Sequence, residues 1–220
     1  MNDLDRWQYP RVVPHGKQVG DLWIPADSET TNLLTSQGLI ASKPYAFKRT
    51  VRDIAYGYLN RNPAESTALD VGANIGLSAV DFVSRFKSVV VFESRDHYTP
   101  VLFKNLEARS GWTLYTFRLD ARVPGSATVD DFDCENVALV KFEFDLATEF
   151  VLSGAAETIC QQKPIVLIEG KPNTSDPAID YCQRELKMIV LDRYENDWIL
   201  GWNEANINHA RLAYYDKDTH

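Results

Sequence analysis

A short segment, ALDVGANIGLSAVDF (residues 68–82), has the residue types and the spacing needed to hold a small molecule. An apolar run reaches the acid Asp70, a turn containing Gly72 and Gly76 follows, and a helical pattern continues from there. A strand, a glycine turn and a helix in this order present backbone N–H groups and the positive end of the helix dipole to a ligand. The residues around the two glycines therefore decide which ligand the turn can accept.

Two phosphate-bearing ligands fit this turn poorly. A phosphate-binding loop ends in Gly-Lys-Ser/Thr, whose lysine reaches the phosphates, but Leu77 and Ser78 follow Gly76 here. A dinucleotide fingerprint has glycine at its middle position so that the backbone can approach the pyrophosphate. Asn74 occupies that position, and its side chain would crowd the approach. A nicotinamide dinucleotide is therefore disfavoured but remains an alternative, because degenerate fingerprints exist.

Asp70, two residues before the first glycine, favours a different ligand. A carboxylate beside the loop repels a pyrophosphate but attracts an ammonium group, and S-adenosylmethionine carries an ammonium, a carboxylate and a sulfonium but no phosphate. We expect Asp70 to face the ammonium, directly or through water, and the turn and helix N-terminus to receive the carboxylate. The alternative is a plain strand–turn–helix whose glycines serve only tight packing. The turn residues predicted to bind the cofactor are Gly72, Ala73, Asn74 and Gly76.

Acids after the next two predicted strands could bind the rest of this cofactor. Glu93 ends the apolar run VVVFE and lies 21 residues past the first glycine. An acid at about this spacing accepts hydrogen bonds from ribose hydroxyls. Asp120 follows the third strand, where a side chain could accept from the adenine amino group. Ser94 and Ala121, which directly follow these acids, complete the predicted cofactor site. The alternative for each acid is that it lies at an exposed strand end, where acids are common, and binds nothing.

The fourth predicted strand ends in KFEFD, where charged and aromatic residues alternate. Alternation puts Lys141, Glu143 and Asp145 on one face of the strand. Charges at the end of a buried strand need partners, which makes this a candidate catalytic site. One carboxylate of the Glu143/Asp145 pair could orient or deprotonate an acceptor hydroxyl, with Lys141 beside it. The alternative is an ion cluster that only closes the strand end.

Strands that are apolar on both faces and separated by helices predict a parallel sheet covered on both sides. A closing hairpin, MIVLDRYENDWILGW, adds antiparallel strands at one edge. We therefore predict a doubly wound, mostly parallel, Rossmann-like α/β domain over residues 63–220, with residues 1–62 as an N-terminal extension and helix that packs on it. Residues 1–40 are a candidate lid. Predicted helices cover residues 44–59, 75–86, 99–109, 147–160 and 176–186, and predicted strands are TALDVG, SVVVFES, GWTLYTFRL, VALVKFEF and PIVLIEG.

The composition of the chain limits the kinds of partner and the cellular compartment that we expect for it. The chain has 23 Lys plus Arg against 31 Asp plus Glu, a net charge of −8, which argues against nucleic acid or an anionic membrane as partner. No apolar run approaches the ~18 residues that span a bilayer, and the N-terminus does not read as a signal peptide. Three cysteines without a close pair indicate a reducing compartment, and the four histidines are not spaced as metal ligands. We expect a cytoplasmic protein without a metal site.

An ordered set of motifs over roughly residues 67–170 resembles the FkbM-type S-adenosylmethionine-dependent O-methyltransferases. The motif DVGANIG matches the first motif of that family, and VVVFES with Asn105 resembles V-x-x-F-E-P…L-x-x-N. The later segments TVDDF, KFEFDLATEFVLSGA and KPIVLIEG resemble T-[LI]-D-x-[LF], K-I-D-V-E-G-x-E-x-x-V-L-x-G-A and K/R-P-x-[IL]-x-x-E. The resemblance implies a class I methyltransferase fold, S-adenosylmethionine as cofactor, and a hydroxyl on a sugar or small metabolite as acceptor.

This chain departs from the family pattern beside the predicted catalytic site. The family's Asp-x-Glu-Gly becomes Glu143-x-Asp145-Leu146, and Thr148 replaces a glutamate. These changes bear on the acceptor and on whether transfer occurs, so two alternatives stay open: a nicotinamide-dependent oxidoreductase on a similar fold, and an inactive cofactor-binding or regulatory protein. Nucleic-acid methylation is a weaker one, because the chain lacks a [DNS]-P-P-[YF] run. Glu169 could hydrogen-bond an acceptor hydroxyl.

Overall fold

The computed structural model describes residues 16–19, 22–25, 48–116, 118–119, 122, 126–143, 148–170 and 176–202. The strands in these regions are β1 (Gly16–Val19), β2 (Leu22–Pro25), β3 (Thr67–Val71), β4 (Ser88–Phe92), β5 (Trp112–Tyr115), β6 (Val137–Glu143), β7 (Ile165–Glu169), β8 (Ile189–Tyr194) and β9 (Asp197–Gly201). The α-helices are α1 (Arg49–Gly57), α2 (Leu77–Val83), α3 (Thr99–Leu106), α4 (Thr148–Ser153), α5 (Ala156–Gln162) and α6 (Asp176–Arg184). Short 3-10 helices cover Pro63–Glu65 and Val129–Phe132.

Seven of the described strands form one sheet, in the order β5-β4-β3-β6-β7-β9-β8. The strands from β5 to β7 are parallel, whereas β9 runs antiparallel to both β7 and β8. The order of the chain reverses between β3 and β6, so the topological switch point lies at the carboxyl ends of these two strands. The predicted doubly wound, mostly parallel sheet with a closing antiparallel hairpin is confirmed.

Helices cover both faces of this sheet. On one face, Val51 and Ala55 of α1 lie in the same apolar cluster as Leu139 of β6. On the other face, Leu152 of α4 lies in a second cluster with Val140, the next residue of the same strand. Because both faces of the central parallel strands are buried, runs such as VALV of β6 are apolar at consecutive positions rather than alternating, and charged residues stand only near the carboxyl ends of these strands. In the described parts of the chain, no helix is long and apolar enough to cross a membrane.

The single helix predicted for residues 147–160 is two helices, so that prediction was wrong. Helix α4 ends before Gly154, and α5 is a separate helix whose first turn is capped by a residue of the 3-10 helix Val129–Phe132. The Asp130 carboxylate accepts hydrogen bonds from the backbone N–H groups of Glu157 (3.0 Å) and Thr158 (2.9 Å). The Asp130 N–H in turn donates to the Gly154 carbonyl at 2.9 Å. This cap from a segment distant in sequence stabilises the start of a second helix that the local pattern does not show.

The third strand is shorter than predicted. Strand β5 ends at Tyr115, and Leu119, the predicted last residue of this strand, pairs instead with Ala127 in an isolated bridge. The ring of Tyr115 lies 5.5 Å from Phe92 and 4.3 Å from Phe132, centroid to centroid. The chain therefore leaves the sheet at an aromatic cluster next to the end of β4.

The N-terminal hairpin of β1 and β2 is attached to the domain through Asn105 of α3. The side chain of Asn105 accepts from the Trp23 N–H (2.6 Å) and donates to the carbonyls of Trp23 (3.0 Å) and Ile75 (2.7 Å). The hairpin is thus linked to the glycine turn, in which Ile75 lies. Most of the candidate lid, residues 1–15, 20–21 and 26–40, lies outside the described residues. The predicted division of the chain into two parts stays a prediction.

A buried arginine fixes the helix that follows the glycine turn. Arg52 of α1 is fully buried, and its Nε donates to Asp81 of α2 at 3.0 Å. The Tyr56 hydroxyl donates to the same carboxylate oxygen at 2.8 Å. Burial alone would raise the pKa of Asp81, but the charge of Arg52 and these hydrogen bonds lower it below its ordinary value. The charged pair therefore holds α2 in place behind the turn.

Candidate functional site

The glycine turn joins β3 to α2 at the switch point of the sheet. Gly72, Asn74 and Gly76 have φ angles of 78°, 52° and 87°, which glycine and asparagine adopt most easily. The N–H groups of Gly72 and Ala73 donate to the Phe92 carbonyl at 2.9 and 3.1 Å, and that of Gly76 donates to the Ala73 carbonyl at 2.8 Å. Three N–H groups of the turn thus already have acceptors within the protein. Those of Gly72 and Ala73 anchor the turn to the end of β4, and that of Gly76 closes the turn on itself.

Gly72 allows the turn to approach the end of β6. A Cβ atom at this position would lie 2.8 Å from the backbone carbonyl oxygen of Glu143. The corresponding neighbour of Gly76 is the end of the flexible Leu102 side chain, at 2.6 Å, which can move aside. Gly72 is therefore the stricter requirement, because both its backbone conformation and its contact with a rigid carbonyl exclude a side chain.

Four ionisable residues meet beneath the turn, and we call Asp70, Lys141, Glu143 and Glu169 the Lys141 cluster. The strand register pairs Asp70 with Lys141 and Glu143 with Glu169 on neighbouring strands. Lys141 Nζ lies 3.1 Å from Asp70 Oδ1, 3.2 Å from Glu143 Oε2 and 3.7 Å from Glu169 Oε2. It also donates a hydrogen bond to the Gly72 carbonyl at 3.3 Å. One ammonium therefore connects β3, β6, β7 and the glycine turn.

The Lys141 cluster holds more negative than positive charge. The side chains of Asp70, Lys141 and Glu169 are at most 2% exposed, whereas that of Glu143 is 39% exposed. Burial raises the pKa of Asp70 and of Glu169, and the Lys141 ammonium offsets only part of this rise. Burial alone would lower the pKa of Lys141, but the three carboxylates raise it. Lys141 stays an ammonium, and the cluster favours a further cation or hydrogen-bond donor.

Some buried carboxylate oxygens of this cluster have no hydrogen-bond donor among the described residues. They are both oxygens of Asp70 and Oε1 of Glu169. Lys141 lies within ion-pair distance of Asp70 but not in a hydrogen-bonding orientation to it. Buried polar atoms are rarely left without a partner, so these oxygens indicate a donor that a ligand or water supplies. An ammonium-bearing ligand fits this donor requirement, and a phosphate does not.

Glu93 lies directly after β4, beside the turn, and is 3% exposed. Its Oε2 accepts from the Asn74 N–H at 2.7 Å, and its Oε1 accepts from the Arg95 N–H at 2.8 Å. The guanidinium of Arg95 also donates to this carboxylate, from Nε to Oε1 at 3.1 Å and from Nη2 to Oε2 at 3.3 Å. The acid predicted to bind ribose is therefore next to the turn and is covered by an arginine.

For the remaining predicted site residues the structure gives only the exposure of the side chain or no description. Ser94 is exposed and Ala73 is buried. Asp120, Ala121 and Asp145 lie outside the described residues, as does Leu146, so their predicted roles stay predictions. The side chain of Thr148, where α4 begins, is also outside the description.

The sequence analysis gave Arg95 no role, and it did not predict the aromatic cluster. A cation two residues after the acid at a strand end was a local signal for Arg95. The cluster of Phe92, Tyr115 and Phe132 joins residues from three separate segments and had no sequence signal. Because the Glu93 N–H donates to the Tyr115 carbonyl at 3.0 Å, these rings lie close to the predicted ribose-binding acid.

No family model matches the sequence, and no curated protein matches it. Among solved structures, a methyltransferase FkbM from Methylobacillus flagellatus KT is similar with a TM-score of 0.52 and 17% identity, over 67% of this chain and 48% of that one. A protein from Streptococcus mutans assigned as a methyltransferase and solved in complex with SAH has a TM-score of 0.52 and 12% identity, over 70% and 96% of the two chains. An rRNA methylase from Streptococcus thermophilus has a TM-score of 0.50 and 13% identity, over 69% and 92%.

At these identities the similarity establishes the fold, which is the Rossmann-like fold of class I S-adenosylmethionine-dependent methyltransferases. The match spans about half of the Methylobacillus protein. Membership of the FkbM-type family stays a prediction. Because an rRNA methylase shares the fold, the expectation from net charge that nucleic acid is not a partner is not supported.

Proposed function

We propose that this chain is an S-adenosylmethionine-dependent methyltransferase that methylates a hydroxyl group of a sugar or another small metabolite. The observation that carries the proposal is Asp70, a buried carboxylate without a hydrogen-bond donor among the described residues, beneath the glycine turn of a methyltransferase fold. Its surroundings carry excess negative charge, which favours the ammonium of this cofactor and disfavours the pyrophosphate of a dinucleotide.

In this proposal, residues at or directly after the carboxyl ends of the strands β3, β4 and β5 bind the cofactor. Asp70 faces its ammonium group, directly or through water, and Glu93 accepts hydrogen bonds from its ribose hydroxyls. When bound, the cofactor supplies an electrophilic methyl group on a sulfonium. The other residues proposed to line the cofactor are Gly72, Ala73, Asn74, Gly76, Ser94, Asp120 and Ala121.

Glu143 is the residue that we propose for proton removal from the acceptor. It ends β6, its carbonyl abuts Gly72, and its side chain is 39% exposed, so it is both beside the cofactor turn and open to a ligand. The Glu143 carboxylate would accept the hydroxyl proton when the acceptor oxygen takes the methyl group and S-adenosylhomocysteine leaves. Lys141 holds that carboxylate in position at 3.2 Å. Asp145 is the alternative base, and Glu169 is proposed to accept a hydrogen bond from the acceptor.

Isothermal titration tests the cofactor. S-adenosylmethionine and S-adenosylhomocysteine are expected to bind with a Kd of about 1–100 μM, and NAD is expected not to bind. Failure of both methionine-derived ligands to bind below about 1 mM, roughly −4 kcal/mol, contradicts the proposal. Binding of NAD alone supports the oxidoreductase instead. Formation of S-adenosylhomocysteine with a panel of sugars, hydroxylated metabolites and RNA then separates an enzyme from an inactive binder and identifies the acceptor class.

Gly72→Ala is expected to weaken S-adenosylhomocysteine binding at least about 100-fold, because the turn must move away from β6. The matched control is Gly111→Ala, since Gly111 has a φ of 80° and its Cβ would lie 3.0 Å from the Lys87 carbonyl, away from the site. Both variants should lose stability, but only the first should lose binding. Calorimetric titration and thermal denaturation of both variants measure this, and equal affinities would contradict the role of the turn.

A further inference from the structure

The Glu93 carboxylate has its acceptor positions filled by residues of this chain. A carboxylate offers about four lone-pair sites, two on each oxygen. Oε1 accepts from the backbone N–H and the Nε of Arg95, at 2.8 and 3.1 Å. Oε2 accepts from the Asn74 N–H at 2.7 Å and from Nη2 of Arg95 at 3.3 Å. On each oxygen, one position is thus occupied by a backbone group and the other by the guanidinium.

The Arg95 guanidinium is held on several sides but not enclosed. Its Nη2 also donates to the Asn74 side-chain oxygen, and its Cζ lies 4.6 Å from the ring centroid of Tyr98. The side chain is nevertheless 40% exposed, whereas that of Glu93 is 2% exposed. Partial burial alone would lower the pKa of Arg95, but Glu93 raises it, so the side chain is a cation. The guanidinium can therefore move into the solvent while the backbone N–H groups of Asn74 and Arg95 keep the Glu93 carboxylate in place.

We infer that Arg95 is a gate on the ribose half of the cofactor site, and that an adenosyl ligand opens it by replacing the guanidinium on Glu93. This inference rests on the proposed function. Two adjacent ribose hydroxyls donate two hydrogen bonds, one to each carboxylate oxygen, and these are the two positions that the guanidinium holds. Arg95 thus competes with the cofactor, and the observed affinity is the intrinsic affinity reduced by the fraction of molecules in which Glu93 is open.

Arg95→Ala is therefore expected to bind S-adenosylhomocysteine about tenfold more tightly than the wild type. Its 2′,3′-dideoxy analogue, which has no hydroxyls to compete for Glu93, should bind both proteins with equal affinity. Calorimetric titration of both ligands measures the difference. Unchanged or weaker binding of S-adenosylhomocysteine overturns the inference, and so does equal tightening of the two ligands, which would indicate only a steric obstruction.

Arg85→Ala is the matched control. Arg85 is 36% exposed, pairs with Asp81, and its Cζ lies 4.5 Å from the Tyr56 ring centroid, so it has the same kind of environment away from Glu93. Its substitution should leave the affinity unchanged within about twofold. If Arg95→Ala does not fold, Arg95→Lys tests the inference instead. A lysine cannot bridge both oxygens of Glu93, so this variant should bind S-adenosylhomocysteine about threefold more tightly than the wild type. If the wild type and Arg95→Ala both fail to bind the ligand, the proposed function fails and the inference with it.

Raising the salt concentration provides a second measurement. The Arg95 side chain is 40% exposed, so salt partly screens its pair with the buried Glu93. The affinity of the wild type for S-adenosylhomocysteine should therefore increase relative to that of Arg95→Ala as ionic strength rises. The ratio of the two affinities removes effects of salt on the ligand itself. A ratio that does not change between low and high salt contradicts the inference that Arg95 competes with the ligand for Glu93.

Discussion

Lys141→Met is expected to lower the free energy of unfolding by about 3–5 kcal/mol near pH 8, because it removes one partner of a buried ion cluster. Methionine retains most of the aliphatic length but not the ammonium that lies 3.1 Å from Asp70 and 3.7 Å from Glu169. Both carboxylates are at most 2% exposed in the wild type. Without Lys141 the next cations are Arg52 for Asp70 and Lys48 for Glu169, and these already pair with Asp81 and Asp197. Buried charges without a dedicated partner are among the costliest groups to hold in a folded protein.

The stability difference between wild type and Lys141→Met should also depend on pH. In the folded wild type the pKa values of Asp70 and Glu169 are already raised by burial, and loss of the ammonium raises them further. A carboxyl group whose folded pKa lies above its unfolded value stabilises the fold below the unfolded pKa and loses this contribution as pH rises through the folded pKa. The variant should therefore be closest to wild type at about pH 5 and furthest from it at about pH 8.

Urea denaturation of both proteins between about pH 5 and 8 measures this difference. Lys104→Met is the matched control, since Lys104 is 36% exposed in its pair with Glu107 and its loss should cost less than about 1 kcal/mol at every pH. Equal losses in the two variants, or a difference that shrinks as pH rises, would mean that Lys141 does not compensate buried carboxylates.

The fold could be predicted from sequence because the decisive features are local. Strands such as VALV are apolar at consecutive positions, and this requires a sheet covered on both faces. The break between α4 and α5 could not be predicted, because its cause is Asp130, which caps α5 across 27 and 28 residues of chain. The end of β5 was missed for a similar reason: Leu119 has an apolar strand pattern around it but finds its partner in Ala127.

The sequence could indicate individual residues of the candidate site, but not the contacts between residues on different strands. Alternation places Lys141 and Glu143 on one face, and the structure has them 3.2 Å apart. That the same lysine also meets Asp70 and Glu169 depends on β6 lying between β3 and β7, and the order of parallel strands is not encoded in any one of them. Arg95 contacts Glu93 locally, but its contact with Asn74 spans 21 residues and depends on the shape of the turn.

Glu143→Gln is expected to lower kcat by about 10²- to 10⁴-fold while changing the Kd of S-adenosylhomocysteine by less than about threefold. Glutamine has the size of glutamate but cannot take the acceptor's proton, so the loss should appear in turnover and not in cofactor binding. The hydrogen bond from Lys141 to Oε2 can be accepted by the glutamine oxygen, so the strand end should keep its structure. Single-turnover transfer from labelled S-adenosylmethionine to an acceptor identified with the wild type measures the chemical step.

Two outcomes would locate the error if this prediction fails. Glu135→Gln, an exposed glutamate outside the site, is the control for the loss of one negative charge and should keep kcat within about twofold. If Glu143→Gln also keeps kcat within that range, Glu143 is not the base, and Asp145→Asn becomes the variant to measure. If Glu143→Gln instead loses cofactor affinity, its main role is structural, through the contact of its strand end with Gly72. The separation of kcat from Kd is therefore what distinguishes a base from a support of the turn.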